Sequence, residues 1–229
     1  MYDVAHPETG PETGIDTREM KVVHSYFRRE LRLAGGLVRR VVPGDRARAG
    51  VVARHLDLLA RTLHEHHTGE DDLLWPKLLE RVPEELAPVV HLMEAQHEGV
   101  DAALTRIGEL LPAWAQDPTA ESGETLASLY DELYVGLTEH LDAEEERLLP
   151  LASRCLTKAE WDEIGERGRQ GVRRSERALV FGSFQYEGDP EVVALMLAPA
   201  PPPVRFLVPR LARRAFRKHS MAVHGTPTP

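Results

Sequence analysis

Histidines and glutamates recur in this sequence at spacings that suit metal binding. The stretch HHTGEDDLLWP begins at His66 and has Glu70 four residues later, and HLDAEEERLLP begins at His140 and has Glu144 at the same distance. Residues four apart lie one turn apart on the same face of an α-helix, so each pair can hold one ion. Imidazole and carboxylate together suit iron, and also manganese or zinc. Both stretches are therefore candidates for metal binding.

The two stretches belong to a longer internal repeat. One further histidine precedes each: His24 lies 42 residues before His66, and His97 lies 43 residues before His140. In both copies a proline follows the glutamate at the same offset. Two such three-ligand sets predict a two-metal centre with pseudo-twofold symmetry. Its predicted ligands are His24, His66, Glu70, His97, His140 and Glu144.

Four amphipathic helices must position these residues. Leu, Val and Ala recur at helical spacings of three and four, and all six candidate ligands fall in the apolar stripes. Asp45 is placed to cap the second helix. Because the links are short, the natural solution is an all-α fold, an antiparallel up-down four-helix bundle. The predicted helices are Thr17–Val41, Arg46–Leu79, Glu84–Trp114 and Glu121–Arg154.

Packing alone is a weak explanation for this pattern. A single inward histidine is usually a hydrogen-bonded core residue. Six inward groups at matching offsets are harder to explain in that way, and a metal offsets the cost of burying carboxylates, which is about several kcal/mol per ion. A structural bundle without metal is the rival interpretation.

Other polar residues near the candidate ligands receive different predictions. His67 and Asp71 form an alternative pair at the same spacing, but His66 and Glu70 match the second copy and are preferred. Glu145 is an alternative to Glu144. We expect His67, Asp71 and Glu145 to lie to one side of the ligands. The remaining histidines of the predicted second and third helices are expected to be solvated or to support the ligands; they are His55, His64 and His91.

Composition limits the compartment and the partners. The chain has 229 residues and a formal charge of −9, which gives no reason to expect nucleic acid as a partner. The single cysteine, Cys155, excludes an internal disulfide and fits a reducing compartment. The start, MYDVAHPETGPETGID, lacks the pattern of a secretion signal, and no apolar run approaches the roughly 18 residues of a transmembrane helix. A cytoplasmic protein without a transmembrane segment is predicted.

Three regions are predicted along the chain. Residues 1–16 are expected to be disordered, residues 17–155 to form the bundle, and residues 156–229 to form a helical extension. Within the extension, VRFLVPRLARRAFRKH carries six Lys/Arg and no acid. This basic tail can bind an anionic membrane or an acidic partner. We favour docking on the protein's own acidic bundle, through Phe206, Leu207, Leu211 and Phe216. The oligomeric state is left open.

The doubled motif, with His24 and His97, resembles the hemerythrin-like or HHE cation-binding domain family over residues 17–155. The chain looks like bacterial stand-alone members with a C-terminal extension. The resemblance implies a bundle around a non-haem di-iron centre with oxo, hydroxo or carboxylate bridges, the last supplied by Glu70 and Glu144. A ferritin-like alternative needs two Glu-x-x-His motifs, and only Glu94-Ala-Gln-His97 is found.

One position departs from the family pattern. Oxygen-carrying members have two histidines one turn apart on the third helix, whereas Met93 precedes His97 here. A thioether is a poor ligand for oxygen-bridged iron, so the site is open, water-filled or completed by a substitute ligand. Tyr26 and Tyr130 are considered as phenolate donors. The predicted function is reaction with oxygen, peroxide or nitric oxide, with a non-catalytic oxygen, iron or redox sensor or store as the alternative. No residue is assigned a catalytic role.

Overall fold

The protein is helical throughout its described part. The computed structural model describes residues 14–229, except for the side chains at 83, 85–87, 90 and 91. No strand occurs in this part of the chain, as predicted. Most of the segment expected to be disordered, residues 1–13, lies outside the description. The elements are α1 Arg18–Arg39, α2 Arg46–Gly69, a π-helical segment Glu70–Leu74, α3 Trp75–Arg81, α4 Pro83–Gln116, α5 Ala120–Arg147, α6 Leu149–Cys155, α7 Lys158–Gly171, α8 Arg177–Glu187, α9 Pro190–Met196 and α10 Pro202–His224.

Helices α1, α2, α4 and α5 form the predicted four-helix bundle. Helix α1 packs on α2 and α5, and α4 closes the ring by packing on the same two helices. The apolar stripe of each helix faces one common core, so the helical spacing of apolar residues predicts this arrangement. Buried members of this core include Phe27, Leu31, Leu56, Leu63, Ile107, Leu133 and Leu137.

The ends of the bundle helices follow local sequence signals. Asp45 caps α2 as predicted, because its Oδ1 accepts a hydrogen bond from the Arg48 N–H at 2.9 Å. The predicted second helix is interrupted by the π-helical segment, in which the Trp75 N–H donates to the Glu70 carbonyl. Pro76 lies in the first turn of α3, where its missing N–H leaves no hydrogen bond unmade.

The predicted fourth helix is divided at the corresponding point. Helix α5 ends at Arg147 and α6 begins at Leu149, just before Pro150. The two continuous helices predicted from the sequence were therefore too long in both copies of the repeat. The extension predicted over residues 156–229 is helical, as expected, and contains α7, α8, α9 and α10.

The C-terminal helices cover one side of the bundle. Helix α7 packs on α2, α8 and α9 pack on α1, and α10 packs on α8 and reaches α2. The contact between α8 and α10 is close because Gly182 has no side chain; a Cβ there would lie 2.2 Å from the Ala212 carbonyl oxygen. Among the described helices, none is both long enough and apolar enough to span a membrane.

The basic tail packs differently from the sequence expectation. Phe216 is buried as expected, but Phe206, Leu207 and Leu211 are 60%, 52% and 59% exposed. The prediction that these three side chains dock on the bundle was wrong. The lysine and arginine side chains of the tail are also exposed. Helix α10 is instead attached through the small and apolar face that includes Ala212 and Val223, both buried.

Candidate metal centre

All six predicted ligands lie close together inside the bundle, and His67 lies with them. They form two groups, in each of which one donor atom per residue lies within 4.8 Å of the others. We call them the three-histidine group and the two-histidine group. The former consists of His67, Glu70, His97 and His140, and the latter of His24, His66, Glu70 and Glu144.

Glu70 is the residue that the two groups share. One carboxylate oxygen, Oε1, lies 3.2 Å from His66 Nε2, and the other, Oε2, lies 3.7 Å from His97 Nε2. In the two-histidine group, His24 Nε2 also lies 3.2 Å from Glu144 Oε2. A carboxylate with one oxygen facing each group has the arrangement of a bridge between two cations.

Two apolar clusters enclose the groups. Along α1, His24 lies between Met20 of one cluster and Phe27 of the other, and along α4, His97 lies between Met93 and Val100 in the same way. The candidate ligands on the remaining helices are similarly flanked by leucines of both clusters. The groups are therefore held in a largely dry environment, in which electrostatic interactions are strong.

Most of the buried donors lack hydrogen-bond partners, whereas His97 Nε2 and His140 Nε2 lie 3.1 Å from each other. The unpartnered atoms are His24 Nε2, His66 Nε2, both ring nitrogens of His67, and both carboxylate oxygens of Glu70 and of Glu144. Leaving one such buried group unsatisfied costs about 1–3 kcal/mol, and more for a charged group. Cations placed in the two groups would satisfy the carboxylate oxygens and one nitrogen of each imidazole, and these nitrogen and oxygen donors suit iron, manganese or zinc. The residues present thus fit a pair of metal ions.

Carboxylates outside the groups fix two of the imidazoles. The Nδ1 atom of His97 lies 2.9 Å from Asp71 Oδ1, which also accepts a hydrogen bond from Trp75 Nε1. The Nδ1 atom of His24 lies 2.9 Å from Glu145 Oε1. A proton on Nδ1 of His97 leaves its Nε2 lone pair facing the shared Glu70 carboxylate, and Glu145 orients the His24 ring with Nε2 towards Glu144. Asp71 and Glu145 therefore lie beside the candidate ligands, as the sequence predicted.

Burial prepares the histidines as neutral donors. It lowers the pKa of His66 to about 3 and the pKa of His140 to about 4, and it holds the pKa of His67 well below the usual value. Burial also acts to lower the pKa of His24, but the neighbouring Glu144 and Glu145 together outweigh burial and the net shift is upward. Three of the imidazoles are thus unprotonated at neutral pH, the form that metals bind.

The two central glutamates differ in protonation. Burial and the nearby Glu144 carboxylate raise the pKa of Glu70 well above its usual value. Burial also acts to raise the pKa of Glu144, but the neighbouring His24, His66 and His140 together outweigh burial and lower that pKa to about 2. The pair therefore shares one proton in the metal-free state, held by Glu70, and binding of cations would release it.

His67 lies among the candidate ligands and not beside them. The prediction that it lies to one side of the ligands was wrong, because it is 1% exposed and its ring stacks on that of His97 with 4.2 Å between centroids. Successive helical residues are about 100° apart, which places Glu70 about 40° from His66 and about 60° from His67. Both histidines therefore flank the glutamate. The doublet His66-His67 before Glu70 was the sequence signal that could have identified it.

The other residues considered in the sequence have distinct environments. Met93 is buried in an apolar cluster with Leu74 and Leu148. Burial raises the pKa of the phenols of Tyr26 and Tyr130, which disfavours phenolate ligation by either residue. Of the remaining histidines, His64 is exposed as expected. The expectation of a solvated or ligand-supporting role was wrong for His55, which belongs to a different buried cluster. The side chain of His91 lies outside the described residues.

Replacing Asp71 with asparagine should weaken metal binding in the three-histidine group. The change removes the negative charge that orients His97, and loss of such an outer partner typically costs about 10–100-fold in metal affinity. Competition with a chelator measures the effect. Asp72→Asn is the control, because Asp72 is next to Asp71 in the chain but is exposed and belongs to neither group. Equal affinities in the two variants would show that Asp71 does not support the site.

Comparison with known proteins adds a family match. Residues 16–152 match the family model described as "Hemerythrin HHE cation binding domain". The match covers more than half of the chain and includes all seven residues of the two groups, whereas α7–α10 lie beyond it. No curated protein and no solved structure matches the chain significantly.

Proposed function

The chain belongs to the hemerythrin HHE cation-binding family, and from this premise we propose that it holds two metal ions, preferentially iron, with manganese or zinc as alternatives. The observation that carries the proposal is Glu70, whose two unpartnered oxygens face two separate sets of buried donors. The three-histidine group would hold one ion and the two-histidine group the other, and Glu70 would be a ligand common to both.

The proposed reaction involves dioxygen, hydrogen peroxide or nitric oxide. A pair of iron ions supplies redox chemistry towards these molecules. Four protein donors in each group leave positions for a small ligand, as in other histidine and carboxylate iron sites. In this role the imidazoles hold the ions, Asp71 and Glu145 fix His97 and His24, and the apolar clusters limit entry of bulk water.

Two features support access for a small molecule. The side chain of His66 is the most exposed of the candidate ligands, at 10%. A surface groove of about 370 Å³ also runs between α4 and α5 and is lined by Gln96, Val100 and Gly136. The Oε1 atom of Gln96 lies 3.4 Å from His140 Nδ1, so the groove reaches the residue next to the candidate centre. As part of the same proposal we assign the protein to the cytoplasm, where its single cysteine would stay reduced.

Metal analysis combined with optical spectroscopy tests this proposal. Protein produced aerobically with iron should contain about two ions per chain, and its visible spectrum should change on addition of peroxide. Steady consumption of hydrogen peroxide or nitric oxide that follows iron content would support an enzyme, whereas a reversible spectral change without consumption would support a sensor or store. Chelator-treated protein is the control. Absence of bound metal after this preparation would overturn the proposal.

A further inference from the structure

A second cluster of histidine and glutamate lies away from the candidate metal centre, where α10 meets α1 and α2. It consists of Glu30 on α1, His55 on α2 and His224, the last residue of α10. The Oε2 atom of Glu30 lies 3.3 Å from His55 Nε2 and 3.5 Å from His224 Nε2. None of the three belongs to the two groups described above.

The cluster contains buried donors without partners. The side chains of Glu30 and His55 are 3% and 4% exposed, and Glu30 Oε2 and His55 Nε2 have no hydrogen-bond partner. The other oxygen of Glu30, Oε1, accepts hydrogen bonds from Arg29 Nη2 at 2.5 Å and Nε at 3.1 Å. Arg29 thus fixes the carboxylate and leaves one oxygen facing the histidines.

Neighbouring side chains keep Glu30 ionised and fix the tautomer of His55. Burial acts to raise the pKa of Glu30, but His224, His55 and Arg29 outweigh it and hold that pKa well below the usual value, so the carboxylate is ionised. The Nδ1 atom of His55 lies 3.0 Å from His219 Nε2. Burial lowers the pKa of His219 to about 4, so a neutral His219 can accept the Nδ1 proton of His55. That tautomer leaves the lone pair of His55 Nε2 facing Glu30.

The end of α10 places His224 at the cluster. The helix ends at Gly225, whose φ of 77° is the left-handed conformation that favours glycine. Just before this turn, Val223 is buried in the bundle core. Arg48 on α2 donates hydrogen bonds to the carbonyl oxygens of Ala222, at 2.5 Å, and of Val223. The last turn of α10 is thereby attached to α2, with His224 beside the unpartnered carboxylate oxygen.

We propose that Glu30, His55 and His224 bind a divalent cation of the zinc class, which ties α10 to the bundle. Two imidazoles and one carboxylate form a three-ligand set that zinc accepts, with a fourth position left for water. The Arg29 and His219 contacts are the outer partners that such ligands require. His224 lies outside the segment that matches the family model, so the site combines family helices with the C-terminal extension.

Zinc stoichiometry of the full chain tests this proposal. His224→Gln removes one donor and keeps a polar side chain of similar size at the end of α10. After titration with Zn²⁺ and removal of free metal, the wild type should hold about one ion more than this variant. His64→Gln is the matched control, because His64 is 61% exposed and belongs to no cluster. The difference of one ion is expected whether or not the bundle centre takes up zinc, so the two proposals fail separately.

Amide hydrogen exchange provides a second readout. Saturating zinc should slow exchange in the last turns of α10 by about tenfold or more in the wild type and have no effect in His224→Gln. Equal zinc content in the two proteins would overturn the proposal. Slowing of the same size in both proteins would also overturn it, because the ion would then act elsewhere.

Discussion

Glu70→Gln should empty both metal positions, whereas Glu144→Gln should empty one. Glu70 is the residue common to both groups, and Glu144 belongs only to the two-histidine group. Metal content should therefore fall from about two ions per chain to about none in the first variant and to about one in the second. Elemental analysis of purified, iron-supplemented protein measures this difference.

The metal-free forms separate binding from folding. Because burial and Glu144 raise the pKa of Glu70, this side chain is protonated without metal, and a glutamine amide has nearly the same shape and charge. The thermal unfolding midpoint of metal-free Glu70→Gln should accordingly stay close to that of the metal-free wild type. Glu146→Gln, at an exposed position on α5, is the control and should keep both ions. If Glu70→Gln and Glu144→Gln lost the same number of ions, Glu70 would not be a unique bridge.

His67→Ala should remove one ion and leave the other. His67 supplies one of the three imidazoles in its group, and both of its ring nitrogens are buried without a hydrogen-bond partner. Its loss leaves His97, His140 and the shared Glu70, while the two-histidine group is intact. We expect metal content to fall from about two ions per chain to about one, with loss of the spectral features of a coupled pair.

His64→Ala is the matched control for His67→Ala. The two histidines lie on the same helix, but the His64 side chain is 61% exposed, so its replacement should leave both ions in place. Circular dichroism of both variants checks that the bundle is intact. Retention of two ions by His67→Ala would contradict the assignment and restore the interpretation that His67 lies to one side.

Local features of the sequence predict the fold and most of the residues that meet in the candidate centre. Helical periodicity and short links are local features, so the bundle of α1, α2, α4 and α5 could be predicted from them. The repeat of His66-x-x-x-Glu70 and His140-x-x-x-Glu144 also identified residues that the structure brings together, because four residues make about one helical turn. Whether they bind metal stays a prediction.

The roles of His67 and Glu70 required the tertiary structure. Matching the two copies of the repeat favoured a symmetric site, but the second copy has Leu141 where the first has His67. Packing of α4 against α2 brings His97 to the space beside Glu70. The ring of His67, the second histidine of α2 at this point, stacks on His97 there. In the proposed centre, His67 on α2 would supply the imidazole that Met93 does not supply on α4.

The cluster of Glu30, His55 and His224 was determined by tertiary structure alone. Glu30 and His224 are far apart in the chain and share no local pattern, since helical spacing relates only residues within a few turns. From the sequence, His55 is expected to be solvated or to support the ligands, and the segment that forms α10 is expected to be a basic tail. Packing of α10 against α8 and α2 places its last residue beside a buried carboxylate on α1, because Gly225 ends the helix there and Arg48 holds its final carbonyl groups. Helical periodicity is a local property, so it predicts the bundle and the repeated candidate ligands. Which other side chains meet depends on contacts between segments that are distant in the chain.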